Sequence, residues 1–266
     1  MISPEATASE SPPAMAQPLG SPVPGSFGDP ADDPYAHIAA FYDAEHDRVT
    51  GADVLGYARR GVPGPLLVLG CGTGRVCRGL EDHRRVVGLD ASPAMLARAR
   101  GQSRYVLGDM RAFDLGTFSE VIVPNGAFAF LRTRADQAAC LDAVHRALKP
   151  GGAVTLDLPM PDFSRLGTPH TEEKPAWQGE VDGRPARRTR EVWRHPVAAR
   201  LHLLDRYYLD EALVARSDLL LRLVFPRELE WLLEAAGFDV DAMWGDHVGG
   251  PLAEGCPRLL VRATRL

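Results

Sequence analysis

Between Leu66 and Arg75 the chain reads Leu-Leu-Val-Leu-Gly-Cys-Gly-Thr-Gly-Arg. Four apolar residues that pass straight into alternating glycines describe a buried strand turning sharply into a helix. Such a turn lets backbone approach a ligand closely, and the following helix N-terminus supplies N–H donors at its edge. The spacing is G-x-G-x-G. A dinucleotide pyrophosphate takes the longer G-x-G-x-x-G turn, and no Lys-Ser or Lys-Thr follows to make a phosphate loop. On its own the loop is equally the tight junction of any strand and helix.

The text around it alternates strand and helix. Leu66–Leu69 reads as a strand, Arg75–His83 as a helix, Arg85–Leu89 as a strand and Ser92–Arg100 as a helix. Tyr105–Leu107 and Glu120–Val123 follow as strands, then a helix over Ala135–Leu148 that stops at Pro150-Gly151-Gly152, then a strand over Ala153–Leu158. Alternation of this kind implies parallel pairing with crossover helices on both faces, a doubly wound α/β sheet of Rossmann-like type. Past Pro159 the rhythm breaks. Arg188–His195, Leu201–Leu209 and Ala212–Val224 carry strand-type residues with no helix between them, which predicts an antiparallel insertion after strand five. A helix returns over Pro226–Ala236, closed by Gly237, and two strands end the chain at Val240–Trp244 and Arg258–Ala263.

The expected domain plan follows. Residues 1–32 hold seven prolines among Ser, Ala and Gly, so a disordered tail is expected there. The core spans 33–160, beginning with the amphipathic stretch Tyr35–Ala44. The antiparallel insertion, read as a substrate lid, spans 161–224, and 225–266 return to the core.

Two carboxylates turn the glycine loop into a site. Asp90 ends the second strand twenty residues after Gly70, where an acid accepts both hydroxyls of a ribose. Asp109, in Gly108-Asp109-Met110, ends the third strand, where an acid accepts from an adenine amino group. Each alone reads equally as a solvated loop residue or a helix cap; their coincidence with the loop favours a nucleoside.

Together these segments resemble the class I S-adenosylmethionine-dependent methyltransferases. Gly70–Gly74 is similar to that family's first motif, Asp90 with Ala91-Ser92-Pro93-Ala94-Met95-Leu96 to the second, and Gly108-Asp109-Met110-Arg111 to the third. Val123-Pro124-Asn125-Gly126-Ala127-Phe128 resembles the fourth, and Leu148-Lys149-Pro150-Gly151-Gly152 the signature before strand five. The resemblance implies a seven-stranded sheet ending in an antiparallel hairpin, with S-adenosylmethionine as cofactor and S-adenosylhomocysteine as product. It places the methionine part over Gly70, Cys71, Gly72, Thr73 and Gly74, the ribose on Asp90 beside Ala91, and the adenine near Met95, Asp109 and Met110. Tyr42, in a Phe-Tyr-Asp segment, would fold over the cofactor, and Asn125 would face the methyl-transfer point. One position departs: the residue two before Gly70, usually acidic in the family, is Val68.

The implied activity is methyl transfer to nitrogen or oxygen of a small molecule, of the kind found in secondary metabolism. A non-methylating member of the fold, using the bound cofactor or its product as a scaffold or electrostatic aid for a reaction such as a cyclisation, is the alternative. An amine acceptor needs no base before attack, whereas a hydroxyl gains from one. The candidate base is His247, in the terminal loop Trp244–Gly250, which otherwise reads as an exposed histidine; His46, His145 and His170 are less anchored. Nine arginines of the insertion, from Arg184 to Arg222, are able to grip a carboxylate or phosphate, but alternate Arg on the solvent face of strands is the more economical reading.

Composition narrows the remaining classes. Thirty Lys plus Arg against thirty-five Asp plus Glu leave a net charge of −5, which disfavours a nucleic-acid partner. Four cysteines show no C-x-x-C and no metal spacing with His, so no metal is expected. No apolar run reaches the roughly 18–20 residues of a membrane span. A reduced, cytoplasmic enzyme, monomeric or homodimeric, is expected.

Overall fold

The computed structural model describes residues 33–46 and 51–266; the Pro-rich stretch 1–32 lies outside the described residues. Helices α1 (Ala39–His46) and α2 (Ala52–Arg60) precede a sheet of seven strands. These are β1 (Leu66–Leu69), β2 (Val86–Asp90), β3 (Arg104–Leu107), β4 (Phe118–Val123), β5 (Leu148–Pro159), β10 (Phe238–Trp244) and β11 (Arg258–Arg265). Their order is β10-β11-β5-β4-β1-β2-β3. The first five pair in parallel, and β11 runs antiparallel to both β5 and β10. This is the seven-stranded α/β sheet with a terminal antiparallel hairpin that the motifs imply.

β1 and β4 are buried along their whole length, as central parallel strands covered on both faces must be. Helices α3 (Arg75–Leu80), α4 (Pro93–Leu96), α5 (Arg134–Ala147) and α6 (Pro226–Ala235) complete the layers. Phe118, Phe128, Leu141, Leu148 and Phe238 are fully buried in the larger core cluster. Each side chain so removed from water contributes roughly 1.5–3 kcal/mol before the entropy of ordering is counted.

Several element bounds differ from expectation: the helix expected over Arg75–His83 ends at Leu80, and the strand expected from Ala153 begins at Leu148. The helix expected over Ser92–Arg100 ends at Leu96. Ser92 caps it by accepting from Met95 N, but Arg98 N and Ala99 N then bond three residues back, to Met95 and Leu96, so the turn tightens and stops. The helix α2, over which the sequence pattern predicts no element, buries Val54, Gly56 and Tyr57. Gly56 is there for clearance: a Cβ would lie 2.6 Å from the His247 carbonyl oxygen of the terminal loop.

After β5 comes the insertion, a separate four-stranded antiparallel sheet in the order β6-β7-β8-β9. Its strands are β6 (His170–Val181), β7 (Arg184–His195), β8 (Arg200–Leu209) and β9 (Ala212–Arg222). The insertion thus holds one more strand than its alternation announced. β6 is the exposed outer strand, and polar text such as Thr171-Glu172-Glu173-Lys174 hides it. The inner face packs on α1, where Ile38 and Phe41 meet Ala186 and Tyr207.

Candidate active site

The C-terminal ends of β1, β2, β3 and β4 open onto a cavity of about 490 Å³, roofed by α1 and bounded by β9. Gly70 and Gly72 line it with φ of 69° and 57°, in the left-handed region that glycine occupies without strain. A Cβ on Gly72 would press on Met95 Cε at 3.3 Å, so the loop backbone itself forms the wall between Met95 and Tyr42. Gly74 serves packing instead: it caps α3, and a Cβ there would strike the Tyr105 hydroxyl at 2.3 Å.

Asp90 sits at the end of β2 with two backbone donors on its carboxylate, Gly72 N at 2.7 Å and Ser92 N at 2.9 Å. Burial pushes its carboxyl above the usual aspartate value, against the lowering effect of those two N–H groups. Asp33 fixes the neighbouring turn, accepting from Ser92 Oγ at 2.7 Å and Ala94 N at 3.2 Å. At the end of β3, Asp109 accepts from Arg111 Nε at 2.9 Å and from the Arg111 backbone N at 2.8 Å. Arg111 also reaches Asp136 of α5 at 2.6 Å. Burial would raise the Asp109 carboxyl, but the bonds from Arg111 outweigh it and hold it below the usual range.

Tyr42 closes the cavity from α1. Asn125 Nδ2 donates to its hydroxyl at 3.0 Å, and its ring lies 4.7 Å from that of His46. Burial raises the Tyr42 phenol, so it remains neutral.

Of the expected cofactor residues, Tyr42, Gly70, Gly72, Asp90, Ala91, Met95, Asp109, Met110 and Asn125 line this one cavity. Cys71, Thr73 and Gly74 do not. Cys71 is turned behind the loop, where a Cβ on Gly88 would meet its Sγ at 2.8 Å, and a hydrogen bond with the free thiol of Cys77 together with burial raises its own thiol well above the ordinary value. Among the described residues no His, Cys, Asp and Glu group is arranged to hold a metal.

His247 is not in the cavity wall. Its Nε2 lies 3.0 Å from Oδ2 of the buried Asp157, edge-on to the Tyr57 ring. Asp157 was carried by no motif, and only its place at the end of β5 marked it. On the side of the insertion, residues 216–220 of β9 line the cavity consecutively, with Tyr35, His37, Phe130, Leu131 and Arg132. Side chains alternate along a strand, so five consecutive residues meet a cavity only when the strand's edge faces it.

The arginines of the insertion are mostly spoken for. Arg188 bonds Glu45 of α1 at 2.6 Å and Asp205 at 3.0 Å, and Arg190 bonds Asp205 at 2.7 Å. Arg184, Arg187, Arg194, Arg206 and Arg222 also have polar partners within the chain. Only Arg200 and Arg216 show none among the described residues, and of these Arg216 lines the cavity.

The donor set fits S-adenosylmethionine. A glycine floor would admit a backbone-close methionine part, the buried Asp90 has lone pairs left to accept from ribose hydroxyls, and Met95, Leu89 and Met110 offer an apolar bed that adenine would fit. Residues 66–152 match the family model described as a methyltransferase domain. A curated relative, the cypemycin N-terminal methyltransferase of a Streptomyces species, is 38% identical over 111 residues. That segment takes in 38% of this chain and 45% of the relative, less than half its length. Among solved structures, the CcbJ methyltransferase of Streptomyces caelestis shares the fold with a TM-score of 0.75 at 22% identity, over 88% of this chain and 98% of that one. The amino pentose methyltransferase CalS10 of Micromonospora echinaspora, solved with S-adenosylmethionine bound, gives 0.65 at 27% identity, over 85% and 94%. Residues 66–152 are thus similar to a methyltransferase domain, and the strand order, glycine loop and strand-end acids are consistent with a class I S-adenosylmethionine-dependent methyltransferase.

Proposed function

We propose that this chain transfers a methyl group from S-adenosylmethionine to a nitrogen atom of a small-molecule acceptor in secondary metabolism, releasing S-adenosylhomocysteine. The observation that carries this reading is the single cavity in which Asp90, Asp109 and the glycine loop share a wall with the edge of β9. Cofactor and acceptor ends thus open into one another. Nitrogen is favoured over oxygen because His247 is engaged with Asp157 outside the cavity wall, and because the cypemycin enzyme is by name an N-terminal methyltransferase. The sugar methyltransferase KedS8, 25% identical over 94% of this chain with a TM-score of 0.67, is also by title an N-methyltransferase.

When bound, the cofactor supplies an electrophilic methyl on a sulfonium, which a neutral amine attacks in line. The chain's part is alignment and exclusion of water. Asp90 would hold the ribose hydroxyls, the Gly70–Gly72 backbone the methionine part, and Met95, Leu89 and Met110 the adenine faces. Tyr35, Tyr42, Phe130, Leu131, Leu219 and Leu220 wall the cavity with apolar surface and keep water from the reacting atoms. An amine loses its proton after attack, so no positioned base is required. Arg132 and Arg216, both on the cavity wall and without partners among the described residues, suit an acceptor that carries a carboxylate or phosphate.

The test is an incubation of purified protein with S-adenosylmethionine and fractionated metabolite extracts, read by mass spectrometry. A methyl-sized gain on an amine, with equimolar S-adenosylhomocysteine, is expected. Calorimetry showing a nicotinamide dinucleotide preferred over the sulfonium cofactor would overturn the reading.

A further inference from the structure

Asp157, near the end of β5, is 1% exposed and does not line the cavity, yet groups from four segments converge on it. The Tyr57 hydroxyl of α2 donates to its Oδ2, and His247 Nε2 of the terminal loop lies 3.0 Å from the same atom. Arg258, at the start of β11, reaches Oδ1 through Nε at 2.7 Å. The fourth contact is to the site: Asn125 N donates to Oδ2 at 3.3 Å. The backbone carbonyl of Asp157 accepts from the next residue, Gly126 N, at 2.7 Å.

Asn125 and Gly126 need such support. Asn125 stands at φ 52° and Gly126 at φ 82°, two successive residues in the left-handed region, which a residue with a side chain seldom adopts. One residue of the neighbouring strand thus fixes both of their N–H groups, one through its side chain and one through its main chain. Asn125 passes the constraint on, since its Nδ2 donates to the Tyr42 hydroxyl at 3.0 Å. A continuous path therefore runs from Asp157 through the β4 turn to the helix that roofs the cavity.

Burial of a carboxylate is costly, and an apolar residue of similar volume would pack the same space without that cost. What an apolar residue cannot do is accept the Asn125 N–H. The other buried acid of the central strands, Glu120 of β4, pairs with Arg84 at 2.7 Å near the opposite end of the sheet, where β4 begins beside Leu66. At the site end the residue two before Gly70 is the apolar Val68, so Asp157 is the central-strand acid that backs the cavity.

We infer that Asp157 is a positioning residue: it holds the Asn125–Gly126 turn in its left-handed form and so sets Tyr42 over the cofactor. The inference rests on the cavity being the cofactor site.

The experiment is a double-mutant cycle read by calorimetry with S-adenosylhomocysteine. Asp157→Asn should weaken binding about tenfold, the scale of one lost hydrogen bond to a charged group. In an Asn125→Gly background, where glycine takes the left-handed form unaided and the Tyr42 contact is already gone, the same change should cost less than about twofold. Glu120→Gln should lower the melting temperature and leave affinity unchanged. Equal losses in both backgrounds, an unaltered affinity in Asp157→Asn, or a matching loss in Glu120→Gln would overturn the proposal. If Asp157→Asn does not fold, amide hydrogen exchange on the unaltered protein decides it. Asn125 and Gly126 should be protected like the strand amides of β4, and rapid exchange there would overturn the role. Failure of the unaltered protein to bind S-adenosylhomocysteine would instead sink the cofactor reading, and leave the exchange measurement to test the turn.

Discussion

Asp90 Oδ2 accepts the Gly72 N–H at 2.7 Å, so the acid that the proposed function places on the ribose also sets the shape of the glycine loop. The two functions share one carboxylate. Replacing Asp90 with Ala should therefore remove two things at once, the hydroxyl contacts and the loop's anchor. Each hydrogen bond to a charged group is worth roughly 1.5–3 kcal/mol, and about 1.4 kcal/mol is a factor of ten. Affinity for S-adenosylhomocysteine should fall at least about tenfold. An unchanged dissociation constant with a native circular dichroism spectrum would place the ribose elsewhere.

The raised carboxyl of Asp90 also predicts a pH dependence of binding. Burial lifts its value above the ordinary 3.8 in the free protein, and ribose hydroxyls donate to the ionised form, so binding favours loss of the proton. Affinity should be flat at neutral pH and decline as pH falls through the raised value, at milder acidity than an ordinary aspartate requires. Asp90→Asn should show a lower but level profile. A decline of the same slope in that variant would assign the titration to another group.

How much of this was legible in the sequence depends on how local each determinant is. Gly70, Gly72, Asp90, Asp109 and Asn125 lie at successive strand ends, and parallel order alone brings strand ends to one edge, so spacing sufficed to gather them. The acceptor side is different. Residues 216–220 meet the cavity through a strand edge, a relation between two sheets that no periodicity along the chain reports. β6 was hidden because its side chains face solvent and its text is polar. The reason for Gly56 in α2 was not legible either, since it answers to a loop nearly two hundred residues away. Alternate arginines along the insertion suggest a solvent face, and most do pair within the chain, but Arg188 is buried and ties the insertion to α1.

That tie yields a stability prediction. Arg188, 7% exposed in its side chain, neutralises Glu45 and shares Asp205 with Arg190. Truncation to Ala leaves a buried acid short of its partner, a change that costs about 3–5 kcal/mol in comparable settings. The melting temperature should drop by roughly 6–20 °C at the scale of about 2–4 °C per kcal/mol for a chain of this size. Because the pair is shielded from solvent, added salt should not mimic the loss. A shift under about 2 °C would mean that the lid is held by Phe41 and Tyr207 packing alone.

His247 gives the sharpest test of the chemistry. Its Nε2 is committed to Asp157 and its side chain is 16% exposed, which makes it a poor proton acceptor for an acceptor held in the cavity. Toward an amine acceptor, His247→Ala should slow turnover by less than about tenfold, since the nucleophile needs no base before attack. The cost should appear in stability instead, about 1–3 kcal/mol for leaving Asp157 with one partner fewer. A hydroxyl acceptor with His247 as its base predicts the reverse: turnover about 10²–10⁴-fold slower, cofactor affinity intact, and a displaced pH–rate midpoint in His247→Gln. Steady-state rates and melting curves on the same two variants separate these outcomes, because a base moves the rate and an anchor for Asp157 moves the melt.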